Sequence, residues 1–248
     1  MSFDLSILER GCEEWNVPLS SFQKEQFIQY YELLIKWNEV MNLTAITKWE
    51  EVLLKHFVDS LSITKVMNMN KVDSLIDVGT GAGFPGIPVK IMFPHIKVTL
   101  LDSLNKRLEF LRKVCEDLKL GNVDIIHGRA EDIARKKEYR EKFALSVSRA
   151  VSRLATLSEY CLPFVEKGGC FISYKSGNLH EEIKDGEAAT AALGGEIEQA
   201  AKFLLPDTNM ERTLVLIRKI AYTPEKYPRK AGIPAKEPIL CKPKEKIK

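Results

Sequence analysis

The stretch DVGTGAGFPGIPVKI, residues 77–91, sets four glycines (Gly79, Gly81, Gly83, Gly86) and two prolines directly after the apolar residues SLI. Glycines at that density after a strand let a backbone approach a ligand closely. Asp102 ends the next strand-like run, 23 residues beyond Gly79. An acidic side chain at that point accepts hydrogen bonds from two ribose hydroxyls. Loop and acid together indicate an adenosine ligand. A dinucleotide fingerprint, G-x-G-x-x-G, needs a third glycine where this chain has Phe84. Asp77 leads the loop, and a carboxylate there repels a pyrophosphate but suits a ligand carrying an ammonium and a sulfonium. The expectation is S-adenosyl-L-methionine, with Asp77, Gly79, Gly81, Gly83 and Asp102 as binding candidates.

GRAED, residues 128–132, follows the third strand-like run, where class I methyltransferases, which this strand pattern resembles, place their adenine contacts. Glu131 is placed to accept from the exocyclic amine and the Ala130 backbone to face the ring; alternatively Glu131 is a first-turn helix acid favoured by the dipole. The fourth strand ends in SRAVSR. There is no Asn/Asp-Pro-Pro-Tyr/Phe run and no Pro-Cys nucleophile. Both absences lean toward an acceptor such as a purine ring nitrogen, whose lone pair needs no general base. Orientation alone can supply ~7–11 kcal/mol in such a transfer. No catalytic residue is expected to stand out. Arg129, Arg149 and Lys175 are positioning candidates at strand ends, able to grip phosphates or the methionine carboxylate, or else are surface charges.

These residues need a scaffold. Ser20 and Gln23 have capping-box spacing, and Phe27, Tyr30, Leu34 and Trp37 then recur at helical spacing. Residues 9–15 and 48–67 read as further helices. From Lys71 the texture alternates: DSLIDVG, IKVTLLD, NVDIIHG, KFALSVSRA and GGCFISYKSG are short β-rich runs separated by helical stretches. That pattern implies βαβ units and a parallel, doubly wound sheet. Two consecutive strand candidates, EIEQAAKFLLP and RTLVLIRKIA, then form a terminal hairpin. The expected organisation is an N-terminal helical segment (1–70), a methyltransferase domain (71–220) and a basic Pro/Lys-rich tail (221–248). The fold class is α/β, a class I S-adenosylmethionine-dependent, Rossmann-like sheet ending in an antiparallel hairpin.

Composition excludes other classes. The five cysteines include no C-x-x-C pair and the four histidines are scattered, so neither a disulfide framework nor a metal site is expected. No run of eighteen apolar residues appears and the N-terminus is acidic, so the expectation is a cytoplasmic protein without a membrane span, a monomer by default. Residues 218–248 carry ten Lys/Arg against Glu225, Glu237 and Glu245. This basic terminus is either a contact for a polyanion or a solvated tail.

The ordered set NLTAIT, HFVDSL, DVGTGAGFPGIPVKI, LLDSLNKRLEFL, GRAED, SRAV and YKSG closely resembles the RsmG (GidB) family. Those are bacterial methyltransferases acting on guanine N7 in small-subunit ribosomal RNA. The resemblance implies transfer from S-adenosyl-L-methionine to guanine 527 of 16S ribosomal RNA, with the RNA or the small ribosomal subunit as partner. It also implies cofactor contacts at Gly79, Phe84, Ala130, Glu131 and Arg149, and a helical N-terminal cap carrying HFVDSL. From the sequence, His56 and Asp59 are either a helix-surface pair or a buried hydrogen-bonded one. Competing readings are a methyltransferase acting on another RNA, a protein or a small molecule, and a non-catalytic RNA-binding assembly factor.

Overall fold

The computed structural model describes residues 3–150, 152–177 and 179–240. The last eight residues of the basic tail therefore lie outside the described residues. Helix α1 (Ser6–Glu14) precedes α2 (Ser21–Met41), whose first turn is closed by the Ser20–Gln23 capping box. Asn42, at φ +48°, ends α2. A continuous helical run follows: α3 (Trp49–Val52), a π-helical turn (Leu53–Val58), α4 (Asp59–Leu61) and a 3₁₀ turn to Lys65. HFVDSL thus begins on a widened turn. Such π-turns cluster at functional sites because they re-aim side chains.

The sheet begins with β1 (Ser74–Val78), followed by α5 (Gly86–Met92), β2 (Lys97–Asp102), α6 (Asn105–Asp117), β3 (Val123–His127) and α7 (Ala130–Ile133). Then come β4 (Phe143–Ser148), α8 (Leu154–Cys161), β5 (Val165–Lys175), α9 (His180–Ala192), β6 (Gly195–Leu204), β7 (Glu211–Lys219) and α10 (Ile233–Lys236). Seven strands form one sheet in the order β3-β2-β1-β4-β5-β7-β6. β1 to β5 pair in parallel, and β7 runs antiparallel between β5 and β6. The order reverses between β1 and β4, so the carboxyl ends of these two strands open the crevice where ligands bind in such sheets.

Strand period divides the core between two faces. Leu75, Val98, Leu145, Ile172 and Leu216 face the cluster that holds Phe27, Tyr30, Leu34, Phe57 and Phe110. Ile76, Leu101, Phe171 and Ile217 face the other, with Leu157, Cys161 and Leu193. The N-terminal helices therefore share one core with the sheet. The terminal segment is packed as well: Tyr227 joins the second cluster, and Thr223 and Pro228 are buried.

Candidate functional site

Three of the loop glycines have positive φ: Gly79 at +73°, Gly81 at +61° and Gly83 at +98°. They do different work. A Cβ on Gly81 would meet nothing within 4 Å, and one on Gly79 only Ala150 Cβ at 4.0 Å, so this part of the loop borders open space. A Cβ on Gly83 would lie 2.7 Å from both Ile87 and the Tyr30 hydroxyl. Gly83 is there for packing. Tyr30, fully buried on α2, donates to the Ala82 carbonyl at 2.5 Å and pins the loop to the N-terminal helix.

The structure puts Asp77 beneath the loop, wholly buried, instead of in the cavity wall. Its Oδ2 accepts from Thr80 Oγ1 at 2.7 Å and Gly86 N at 2.9 Å, while Oδ1 is buried with no hydrogen-bond partner. Burial pushes its carboxyl up to about 6. Asp102 does reach the cavity. Its Oδ2 accepts from Gly81 N and its Oδ1 from Leu104 N, both at 2.9 Å, and Arg107 stands 3.4 Å away. The carboxylate is thereby fixed in direction before any ligand arrives.

A cavity of about 300 Å³ runs from Gly79 and Asp102 past Arg129, Ala130 and Glu131 to Leu157 and Tyr160 of α8. Glu131 is buried in the first turn of α7 and accepts the Gly232 N–H at 2.8 Å. Arg129 is exposed at this cavity's edge. The open cradle at Gly81, the oriented acid at the end of β2 and a buried acid beyond β3 fit the shape and donors of an adenosine.

A second cavity, about 520 Å³, adjoins the first and shares Ala150 and Ser152 with it. Arg149, Arg153, Lys175 and Arg212 line it, with Asp59 and Glu182 as the only acids among its described lining residues. Lys175 ends β5; its ammonium pairs with Glu182 at 2.6 Å and bonds the Ser152 carbonyl. Arg149 is half-buried and gathered in from three sides. It donates to the Lys55 carbonyl at 3.0 Å and to Asp59 Oδ2 at 3.1 Å, and its guanidinium lies 5.0 Å from the Phe84 ring centroid. Phe84 also stacks on His56, ring centroids 4.5 Å apart. Its side chain lines neither cavity.

His56 and Asp59 are both buried, but they do not bond each other; Arg149 stands between them and contacts both. Burial, with the Arg149 charge beside it, holds the imidazole down to about 3, so the ring is neutral at pH 7. His56 Nδ1 lies 3.2 Å from the Arg149 guanidinium, which only donates, and 3.2 Å from the Lys55 carbonyl, which only accepts. Nε2 and Thr44 Oγ1 share a hydrogen bond of 2.9 Å. Thr44 lies in NLTAIT and Arg149 in SRAV: three separated motifs close one network. Arg212, which sequence reading passed over, donates to Asp59 Oδ1 at 3.0 Å. Arg153 lines the same cavity in the open. Both were legible only as surface-type arginines: the register that brings β7 to β5 fixes the place of Arg212, and the start of α8 that of Arg153.

Among the described residues no cluster of His, Cys, Asp or Glu has the make-up of a metal site, and no helix is long and apolar enough to cross a membrane.

Among solved structures, the methyltransferase in the complex with the Haloferax volcanii Trm112 methyltransferase activator matches with a TM-score of 0.57 at 11% identity, over 76% of this chain and 98% of its own. The S-adenosylmethionine-dependent methyltransferase SibL in its apo form matches with a TM-score of 0.50 at 15% identity, over 65% and 55%. Such distant likenesses concern the fold, which is the class I S-adenosylmethionine-dependent methyltransferase fold expected from the strand pattern. The curated "Ribosomal RNA small subunit methyltransferase G" of Lachnoclostridium phytofermentans is 53% identical over 239 residues, 96% of this chain and 99% of that protein. A family model described as rRNA small subunit methyltransferase G matches residues 23–213, which takes in the glycine loop, the arginine network and both cavities, and the chain belongs to that family, GidB.

Proposed function

We propose that the protein transfers a methyl group from S-adenosyl-L-methionine to N7 of a guanine in 16S ribosomal RNA, guanine 527 being the position the family resemblance implies. The observation that carries this reading is the junction of the two cavities at Ala150 and Ser152: a pocket whose two acids, Asp102 and Glu131, fit adenosine opens onto one lined by four cations. Cations in that number suit a phosphate-rich acceptor.

When bound, the donor supplies an electrophilic methyl on a sulfonium. Asp102 accepts from the ribose hydroxyls, its carboxylate already aimed by Gly81 and Leu104. Glu131 accepts from the adenine amine, and the loop from Gly79 to Gly81 lets the backbone lie against the ligand. Arg149 and Lys175 hold anionic groups of donor or acceptor at the junction. Asp77 acts from below, by fixing the loop through Thr80 and Gly86.

No described acid in the acceptor cavity is left to serve as a base. Asp59 holds two guanidiniums, and Glu182 holds Lys175 and the Leu154 N–H. Guanine N7 needs none, since its lone pair is already available. The protein's task is then to orient N7 toward the methyl and exclude water, a contribution of ~7–11 kcal/mol at best.

The test is transfer from labelled S-adenosyl-L-methionine to small-subunit RNA, or to intact subunits, from cells lacking this protein. Cleavage at N7-methylguanine then maps the site. One stoichiometric methyl at a single guanine N7 is the expected result. Donor binding without transfer to either RNA substrate would overturn it and favour a small-molecule acceptor or a binding role.

A further inference from the structure

The family model ends at residue 213, yet the chain continues, and residues 221–240 lie back across the domain as a strap. Its anchors are strong. Arg229 binds Glu159 through its Nε and Nη2, at 2.6 Å for the closest pair, and its own N–H donates to the same carboxylate at 2.7 Å. Glu159 is fully buried on α8. Arg140 donates to the carbonyls of Thr223 and Tyr227, and Arg135 to that of Pro228 at 2.5 Å. Thr156 of α8 donates to the Pro234 carbonyl at 3.1 Å.

What the strap touches is the far end of the donor cavity. Leu157 and Tyr160, two residues before Glu159 and one after it on α8, line that cavity. At Gly232, φ +85°, the strap turns in the left-handed region and presents its N–H to Glu131 Oε1. A Cβ there would meet nothing within 4 Å, so the glycine serves the turn and not the packing. One carboxylate oxygen of Glu131 is thus fixed by the strap, and the side chain's direction with it.

We propose that the strap is a positioning element for donor recognition: Gly232, held in place by Arg229 on Glu159, aims Glu131 at the exocyclic amine of adenine. This rests on the reading of Glu131 as the adenine contact. It makes discrimination for adenine depend on a segment beyond the reach of the family model. A segment that only stabilised the domain would affect all ligands of the cavity alike.

The experiment is calorimetric binding of S-adenosyl-L-homocysteine and of its analogue lacking the 6-amino group, using the full chain. The wild type, Arg229→Ala, Arg229→Lys and Gly232→Ala are compared, each checked by thermal melting. Gly232→Ala keeps the N–H but strains the turn, so it covers the case in which Arg229→Ala, leaving a buried acid unpaired, does not fold. In the wild type the amine is worth about tenfold in affinity, as for a hydrogen bond to a carboxylate. The strap variants lose that factor for the adenine ligand while the deaminated ligand binds as before, and Arg229→Lys recovers part of it. Equal losses for both ligands, or none, overturn the inference and leave the donor pocket standing. A wild type that binds both ligands equally removes the Glu131 reading and the inference with it. Failure of the wild type to bind either ligand instead removes the proposed donor.

Discussion

Asp59 and Arg149, 90 residues apart in the chain, meet at 3.1 Å in the wall between the helical cap and the sheet. The second oxygen of the same carboxylate takes Arg212 from β7. One buried acid therefore joins the N-terminal helices, the end of β4 and the antiparallel strand β7 beside β5. Removing it leaves two largely buried guanidiniums facing each other. Asp59→Ala is expected to lower stability by about 2–4 kcal/mol, read as a shift in urea midpoint at unchanged m-value. A loss below about 1 kcal/mol would mean that water replaces the carboxylate and that the network is surface-like.

The glycines offer a sharper separation of packing from ligand contact. Gly83→Ala forces a Cβ to 2.7 Å from Ile87 and the Tyr30 hydroxyl at a positive φ. It should cost about 2–4 kcal/mol of stability. Gly81→Ala meets nothing and carries only the left-handed backbone penalty, about 1–2 kcal/mol, yet fills the space the ligand would take. Its melting temperature should fall less than that of Gly83→Ala, while binding of S-adenosyl-L-homocysteine falls more. The reverse ranking would overturn the division of the loop made here.

That division marks the limit of what could be read from the residues alone. The loop, the acid at the end of β2 and the hairpin were all legible, because each is a local pattern: glycines after a strand, a period of two, a turn between two strands. The difference between Gly81 and Gly83 was not, since it depends on Tyr30, which reaches the loop from a helix more than fifty residues upstream. Asp77 illustrates the same limit. Its place at the loop suggested a ligand contact, but the pleat of β1 turns it under the loop to bond Thr80 and Gly86. The net charge of the terminus says little about its surroundings. Arg218, Lys219 and Arg229 contribute to the basic terminus on paper, yet pair with Glu198, Glu141 and Glu159 within the chain.

Two buried groups of the site titrate in opposing senses. His56 is held down to about 3 from an ordinary 6.5, so between those values the unfolded chain binds more protons. Its contribution to stability is intact above about pH 6.5 and is lost as pH falls. Asp77 is pushed up to about 6 from 3.8, so there the folded chain binds more protons. That contribution is intact at acid pH and is lost as pH rises through 6. Each changes by ~1.4 kcal/mol per pH unit, so between about pH 4 and 6 they nearly cancel. His56→Asn removes only the first. Relative to wild type, the variant should lose about 2–3 kcal/mol between pH 4 and 6, measured by urea unfolding across that range. Parallel curves would show that the imidazole is not held neutral by burial.

The four cations of the larger cavity lead to a prediction about salt. Arg153 is exposed at the N-terminal end of α8, in the cavity wall and outside the Asp59 network. If its guanidinium meets a phosphate of the RNA, Arg153→Ala should reduce the slope of log affinity against log salt by about 0.7–0.9, the release of one counterion. Arg218 carries the same charge six residues beyond Arg212 on β7, about 20 Å away, and is held by Glu198 at 2.8 Å. Arg218→Ala should leave the slope unchanged. Titration of both variants with small-subunit RNA at several salt concentrations distinguishes a localised grip at the cavity from diffuse attraction. Equal slopes for the two variants would mean that the cavity's cations serve the donor or the fold, and that the RNA is held elsewhere.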